Sequence, residues 1–207
     1  MTSTADASPP TALFLGGHAA LDFVNTAFAP QGRPVELISD GRSFVEWLVQ
    51  AGLLEADLAL RLQRRFGARA LDDAAAQARD FRQWCREWLA RWRAEPQTRY
   101  DAELSKLNTL LARARVNREI VADASGQLAV VERPRYETAD ALIAVLAAQV
   151  AALVAAEQPP LVKHCAGAGC TLWFLDRTKA HRQLFCSAAA CGNRAKVAAF
   201  RARQRSR

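Results

Sequence analysis

The sequence predicts a mainly α protein in two unequal parts: a helical N-terminal domain with one β-hairpin, residues 13–157, and a small C-terminal module of hairpin and helix, residues 163–207. Three observations predict it. Apolar residues recur at three- and four-residue steps along most of the first part, the period of a helix, and switch to a period of two in one stretch. Four of the five cysteines, Cys165, Cys170, Cys186 and Cys191, stand as C-x4-C, fifteen residues, C-x4-C. Charge divides unevenly as well: from Lys163 to Arg207 there are ten Lys or Arg and one acid, Asp176, giving +9 against +7 for the whole chain, so residues 1–162 carry −2.

In the first part, residues 1–12 are polar and expected to be disordered. Residues 13–26, LFLGGHAALDFVNT, read as extended and then helical. Asp40 is suited to cap a helix that buries Phe44, Trp47 and Leu48 and stops at Gly52. Leu54, Leu58 and Leu62 mark a second helix running to Gly67. From Leu71 to Ala94, Phe81, Trp84, Cys85, Trp88 and Trp92 form one apolar stripe, and Pro96 ends that helix. Asp101 is a candidate cap for a helix presenting Leu104, Leu107, Leu110 and Leu111. Residues 118–123 and 128–133 alternate apolar and polar around the turn Ala-Ser-Gly-Gln, which makes a hairpin. Thr138 opens a last helix with Leu142, Leu146, Val150 and Leu153 on one side. Its apolar run of 16 residues, 141–156, is shorter than the ~20 of a membrane span and reads as a core helix. Pro159 and Pro160 mark residues 158–162 as a hinge.

No phosphate-binding loop, dinucleotide fingerprint, nucleophile elbow or His-Glu-x-x-His motif occurs, so no enzyme is expected. No basic, apolar leader opens the chain, and a cytoplasmic location with reduced thiols is expected. There, paired cysteines are metal ligands rather than disulfides. Cys85, in the apolar stripe, reads as a buried inert thiol.

Four cysteines in two short pairs satisfy one tetrahedral Zn2+ with thiolates and leave no open position for catalysis. His164 and His181 are alternate ligands that four cysteines make unnecessary. Gly167 and Gly169 permit the positive φ angles of a knuckle. Residues 171–175 and 183–185 are strand-like, which predicts a hairpin between the pairs. Ser187 caps a helix that puts Cys191 in its first turn, a treble-clef order of knuckle, hairpin and helix. On that helix Val197 and Phe200 should dock against Trp173 and Phe174. Arg194, Arg201 and Arg205 make one stripe and Lys196, Arg203 and Arg207 another, with no acid after Asp176 to pair them. With Arg177, Lys179 and Arg182, these cations predict a polyanion partner, DNA or RNA; no membrane partner is expected, since the one long apolar run reads as a core helix. A metal-stapled module on a hinge also predicts that a chelator would unfold the module and spare the body.

Residues 165–207 resemble the CGNR zinc finger through Cys191-Gly192-Asn193-Arg194, both cysteine pairs, the Phe174-x-Asp176 step, Arg182, Ser187, and the Lys196, Phe200, Arg201, Arg203 tail. Phe185 stands where that family has Trp. The body resembles the ABATE domain through Leu21-Asp22-Phe23-Val24-Asn25-Thr26 after Gly16-Gly17. The resemblance implies a bacterial stress-induced transcription regulator with DNA as its partner, and the leading expectation is a body that dimerises or senses a small molecule and a finger that binds the DNA. An RNA- or ribosome-bound protein, or a ligand-binding or enzymatic body with a purely structural finger, are the competing functions. If the body binds an effector, the polar residues of its motif, His18, Asp22, Asn25 and Thr26, are the first candidates; otherwise they cap and brace the first helix.

Overall fold

A computed structural model describes residues 12–29 and 32–205. The expected disordered start lies outside these residues except for Ala12, which packs at the edge of the core. Helix α1 (Ala19–Val24) is short and buried on nearly every side, with Ala20, Leu21, Phe23 and Val24 fully enclosed. A two-residue ladder of β1 (Ala27–Phe28) and β2 (Val35–Glu36) follows it. Helix α2 (Gly41–Gln50) starts in a capping box, in which Asp40 accepts from the Ser43 N–H and the Ser43 hydroxyl accepts from the Asp40 N–H.

The two helices expected on either side of Gly67 are the limbs of one kinked element, α3 (Ala56–Ala94). Gly67 lies at φ 74°, a left-handed conformation that lets the chain break direction without a Cβ penalty. Gly41 is required for a different reason: a Cβ there would sit 2.4 Å from the backbone and Cβ of Leu71, so its absence lets α2 cross α3 closely. Between α2 and the two limbs lies a cleft of about 890 Å3 lined by Val45, Val49, Leu60 and Leu71 with Arg42 and Glu46.

Helix α4 (Asp101–Leu111) has Tyr100, not Asp101, at its N-cap, with no side-chain cap bond; Asp101 is its first helical residue and pairs with Arg99. The hairpin of β3 (Arg115–Ala122) and β4 (Leu128–Arg135) is longer than its alternating pattern suggested, with Ile120 opposite Val130. Asp123 fixes the turn by accepting from the N–H groups of Ser125 and Gln127, and Gly126 takes φ 84°. Both faces stay largely in solvent: Ile120 is 73% and Val130 67% exposed. One 3-10 turn, Ala139–Leu142, leads into α5 (Ile143–Ala156), whose Ile143, Leu146, Val150 and Leu153 are buried, so the apolar run is a core helix.

Residues 158–162 do not form a loose hinge. Pro159–Leu161 is a 3-10 turn, and fully buried Val162 begins β5 (Val162–His164). Strand β5 pairs antiparallel with β6 (Trp173–Leu175), so the hairpin straddles the first cysteine pair instead of lying between the pairs. Residues 183–185 are not a strand, because their polar groups are used elsewhere: the Leu184 carbonyl accepts from Ala166, and the Gln183 N–H donates to Asp176. Val162, Trp173 and Leu175 belong to the main core, while Leu172 and Phe174 pack with the cysteines, Leu15, Phe28 and Phe185. The described residues end in a π-helical turn, Ala188–Gly192, and α6 (Asn193–Arg205).

Candidate metal centre and basic helix

The four predicted cysteines converge, with sulfurs all within 4.8 Å of one another. A ZnS4 tetrahedron with Zn–S bonds of ~2.3 Å has S–S edges of about 3.8 Å. Cys170 Sγ lies 3.9 Å from Cys186 Sγ, and Cys186 Sγ 3.7 Å from Cys191 Sγ. The cluster therefore fits a single structural zinc, and the four sulfurs fill its coordination sphere. Neither histidine belongs to it: His164 packs edge-on against Trp173, and the His181 carbonyl accepts from Lys163.

Local sequence explains how the sulfurs are brought in. Gly169 takes φ 68°, as the knuckle requires. Gly167 does not adopt positive φ; it leaves room for Cys191, since a Cβ there would lie 3.1 Å from Cys191 Sγ and Cβ and press that ligand back by a few tenths of an ångström. Ser187 caps the π-helical turn by accepting from the Ala190 N–H, and Cys191 follows inside that turn. Burial raises the pKa of the Cys165 thiol, but N–H donors from Cys186 and Gly167 outweigh it and the net shift is downward. Burial, with the neighbouring thiols, pushes Cys170 up to about 11 and Cys186 further up. At Cys170 and Cys186 burial thus favours the protonated thiol, and a dication that binds thiolates would supply what drives those protons off. Cys85 is wholly buried and its pKa is raised by that burial, as expected of an inert thiol.

The second loop is tied to the first strand by buried Asp176. It accepts from Lys163 Nζ at 2.6 Å, from the Thr178 N–H and hydroxyl, and from the Gln183 N–H. Together these donors hold its pKa far below the usual carboxylate range against the cost of burial.

The predicted basic residues Arg177, Lys179, Arg182, Arg194, Lys196, Arg201, Arg203 and Arg205 are all exposed. Two of them are engaged. Arg177 reaches the body, donating to the Gly17 carbonyl and pairing with Glu157. Arg194 Nη2 donates to Cys191 Sγ at 2.8 Å. Arg207 lies outside the described residues. The expected docking of α6 does not occur: Val197 is 48% and Phe200 55% exposed, and α6 buries no residue. The reason is that its intended partners are taken, Trp173 by the main core and Phe174 by the metal cluster. Val197 instead helps line a shallow depression with Asn193, Arg194, Ala198 and Arg201.

The four polar residues of the N-terminal motif are occupied by the fold. His18 caps α1, its Nδ1 accepting from the Ala20 N–H at 3.1 Å. Asp22 accepts from the Gly16 N–H at 2.8 Å. Thr26 donates to the Phe23 carbonyl and accepts from Arg82. Asn25, fully buried, makes a two-point pairing with the backbone of Trp173, donating to its carbonyl and accepting from its N–H, both at 2.8 Å. Its carboxamide thus acts as one more strand residue along the metal module's β6, and the Leu175 N–H adds a bond to the Gly16 carbonyl. Sequence reasoning missed the residues that hold the motif from behind. Arg82 bridges Thr26 and Glu36, and Arg86 donates to the carbonyls of Val24 and Ala27. Their signal was an i, i+4 pair of arginines directly following Phe81 and Cys85 of the buried stripe.

Comparison with known families bears on both parts. Residues 17–157 match the model of ABATE, described as a putative stress-induced transcription regulator. The chain belongs to the ABATE family. Residues 162–204 match the CGNR zinc finger, so this ABATE chain carries that finger at its C-terminal end. Neither family description names a catalytic activity. No curated protein matches the chain. In ABATE terms, the motif around Asn25 is where the N-terminal domain grips its finger.

Proposed function

We propose that this chain is a cytoplasmic bacterial transcription regulator, not an enzyme, that binds DNA through the exposed cations of α6 and of the loop at 177–182. The observation that carries the reading is α6 itself. It leaves a rigid metal centre, buries nothing, and bears Lys196, Arg201, Arg203 and Arg205 with no acid between Asp176 and its end. Such a helix is costly to hold in isolation and is relieved by phosphates. The body would then be the sensing or dimerising part, for which the cleft between α2 and α3 and the bare β3–β4 hairpin are the available surfaces.

The test is binding of the zinc-loaded chain to duplex DNA and to structured RNA across a salt series. If about five phosphates are contacted, log affinity for DNA should fall with log salt at a slope near −4 to −5. Arg201→Ala should lessen the slope by about 1. A flat salt response rejects the reading, and tighter binding to RNA redirects it to an RNA partner.

A further inference from the structure

We infer that Arg194 is a positioning residue of the metal centre and not a nucleic-acid contact. The inference needs the metal but not the DNA. Cys191 lies in the π-helical turn and Arg194 three residues on, in the first turn of α6, so the guanidinium folds back onto the sulfur, with Nη2 2.8 Å from Cys191 Sγ. Of the other sulfurs, Cys165 receives backbone donors from Gly167 and Cys186, and Cys170 one from Leu172. Among the described residues, no other Lys or Arg of α6 reaches a sulfur. Arg194 is therefore the charged donor at Cys191, beside backbone N–H groups at Cys165 and Cys170.

The chemistry calls for such a group. Four thiolates around one Zn2+ leave a net charge of −2. Three of the four cysteines are buried, so solvent screens that charge poorly. A guanidinium against one sulfur offsets part of the charge through a charge-assisted hydrogen bond, and it orients Cys191 at the same time. It also stitches the first turn of α6 to the metal, which matters because that helix has no packing of its own. With Nη2 committed to Cys191 Sγ, Arg194 is the α6 cation with the least freedom to follow a phosphate.

The full-length chain with Arg194→Gln, Arg194→Lys and Arg201→Ala tests this by zinc affinity in competition with a chromogenic chelator and by the alkylation rate of the zinc-loaded cysteines. Far-UV circular dichroism confirms folding. Arg194→Gln should weaken zinc affinity about 10–100-fold and speed alkylation, the size expected of a lost partner to a metal ligand. Arg194→Lys should recover part of the loss, because the charge stays and the planar fork goes. Arg201→Ala should leave both readouts at wild type. On DNA the order should reverse, with the salt slope lessened in Arg201→Ala and unchanged in Arg194→Gln. Zinc affinity within about twofold of wild type in Arg194→Gln would overturn the inference, and so would Lys behaving no better than Gln. Because zinc is read without DNA, a failure of DNA binding leaves this result standing.

Discussion

His18 can cap α1 only as a neutral ring, because the Nδ1 that accepts from Ala20 must carry no proton. Burial, and then the positive charge of Arg177, lower its pKa from the ordinary 6.5, with Glu157 opposing them. A group whose charged form is disfavoured by folding contributes fully above its unfolded pKa, and that contribution is lost as pH falls from 6.5 through the lower folded value. The wild-type chain should therefore lose melting temperature between pH 7.5 and 5.5 faster than His18→Asn, in which the cap does not titrate. A cap is worth about 1 kcal/mol, or roughly 2–4 °C in a chain of this size. Parallel pH profiles for the two proteins would disprove it. At this scale the sequence was most legible where chemistry is exclusive. Four thiols at metal spacing have few other uses, and Cys85 amid aromatic residues had none. Arg82 and Arg86 were illegible because 24 arginines in one chain make any single guanidinium uninformative. The bond of Arg194 to Cys191 was illegible because spacing along a helix reveals a residue's face, and not the rotamer that folds its side chain back onto the preceding turn.

Elements were placed well wherever local signals agree with one another. The capping box at Asp40, the break at Gly67 and the turn at Gly126 each combine a polar or glycine signal with a change in apolar period. What failed was pairing between elements. Residues 183–185 have a strand's composition, but β6 had a better partner in Val162–His164, whose apolar end continues into the core. Helix α6 has an apolar seam, but the surfaces it would dock on are consumed. Such outcomes depend on competition between distant segments, which no window along the chain contains. The joint between α1 and β6 is the sharpest instance. Replacing Asn25 by Ala would strip the Trp173 N–H and carbonyl of their partners in a buried place, at about 1–3 kcal/mol for each unsatisfied group. Urea unfolding should show a loss of about 2–6 kcal/mol in Asn25→Ala, whereas a surface change such as Ile120→Thr on the hairpin should stay within about 0.5 kcal/mol. A mild phenotype for Asn25→Ala would mean that the seam contributes little.

Across the whole molecule, the division into body and finger seen in charge and cysteine content is chemical more than mechanical. Both strands of the finger contribute to the main core, through Val162, Trp173 and Leu175, and further bonds cross the seam from Gly16, Gly17, Ala29 and Glu157. The sequence reading expected a chelator to spare the body; the structure predicts otherwise. Structural zinc is worth on the order of 10 kcal/mol in isolated fingers, and here part of that energy stabilises β5 and β6 where they complete the core. Zinc removal should lower the melting temperature of the entire helical signal and raise amide exchange at Asn25, Trp173 and Leu175. Retention of the full melting temperature in excess chelator would show that the body stands alone. The pairing of Asn25 with Trp173 also bears on transplantation. A finger cut out at residue 162 and fused to another protein would carry an exposed Trp and two backbone groups cut to fit a carboxamide it no longer meets. This finger is therefore not a portable part, and any rearrangement that moved it would have to bring along an equivalent of Asn25.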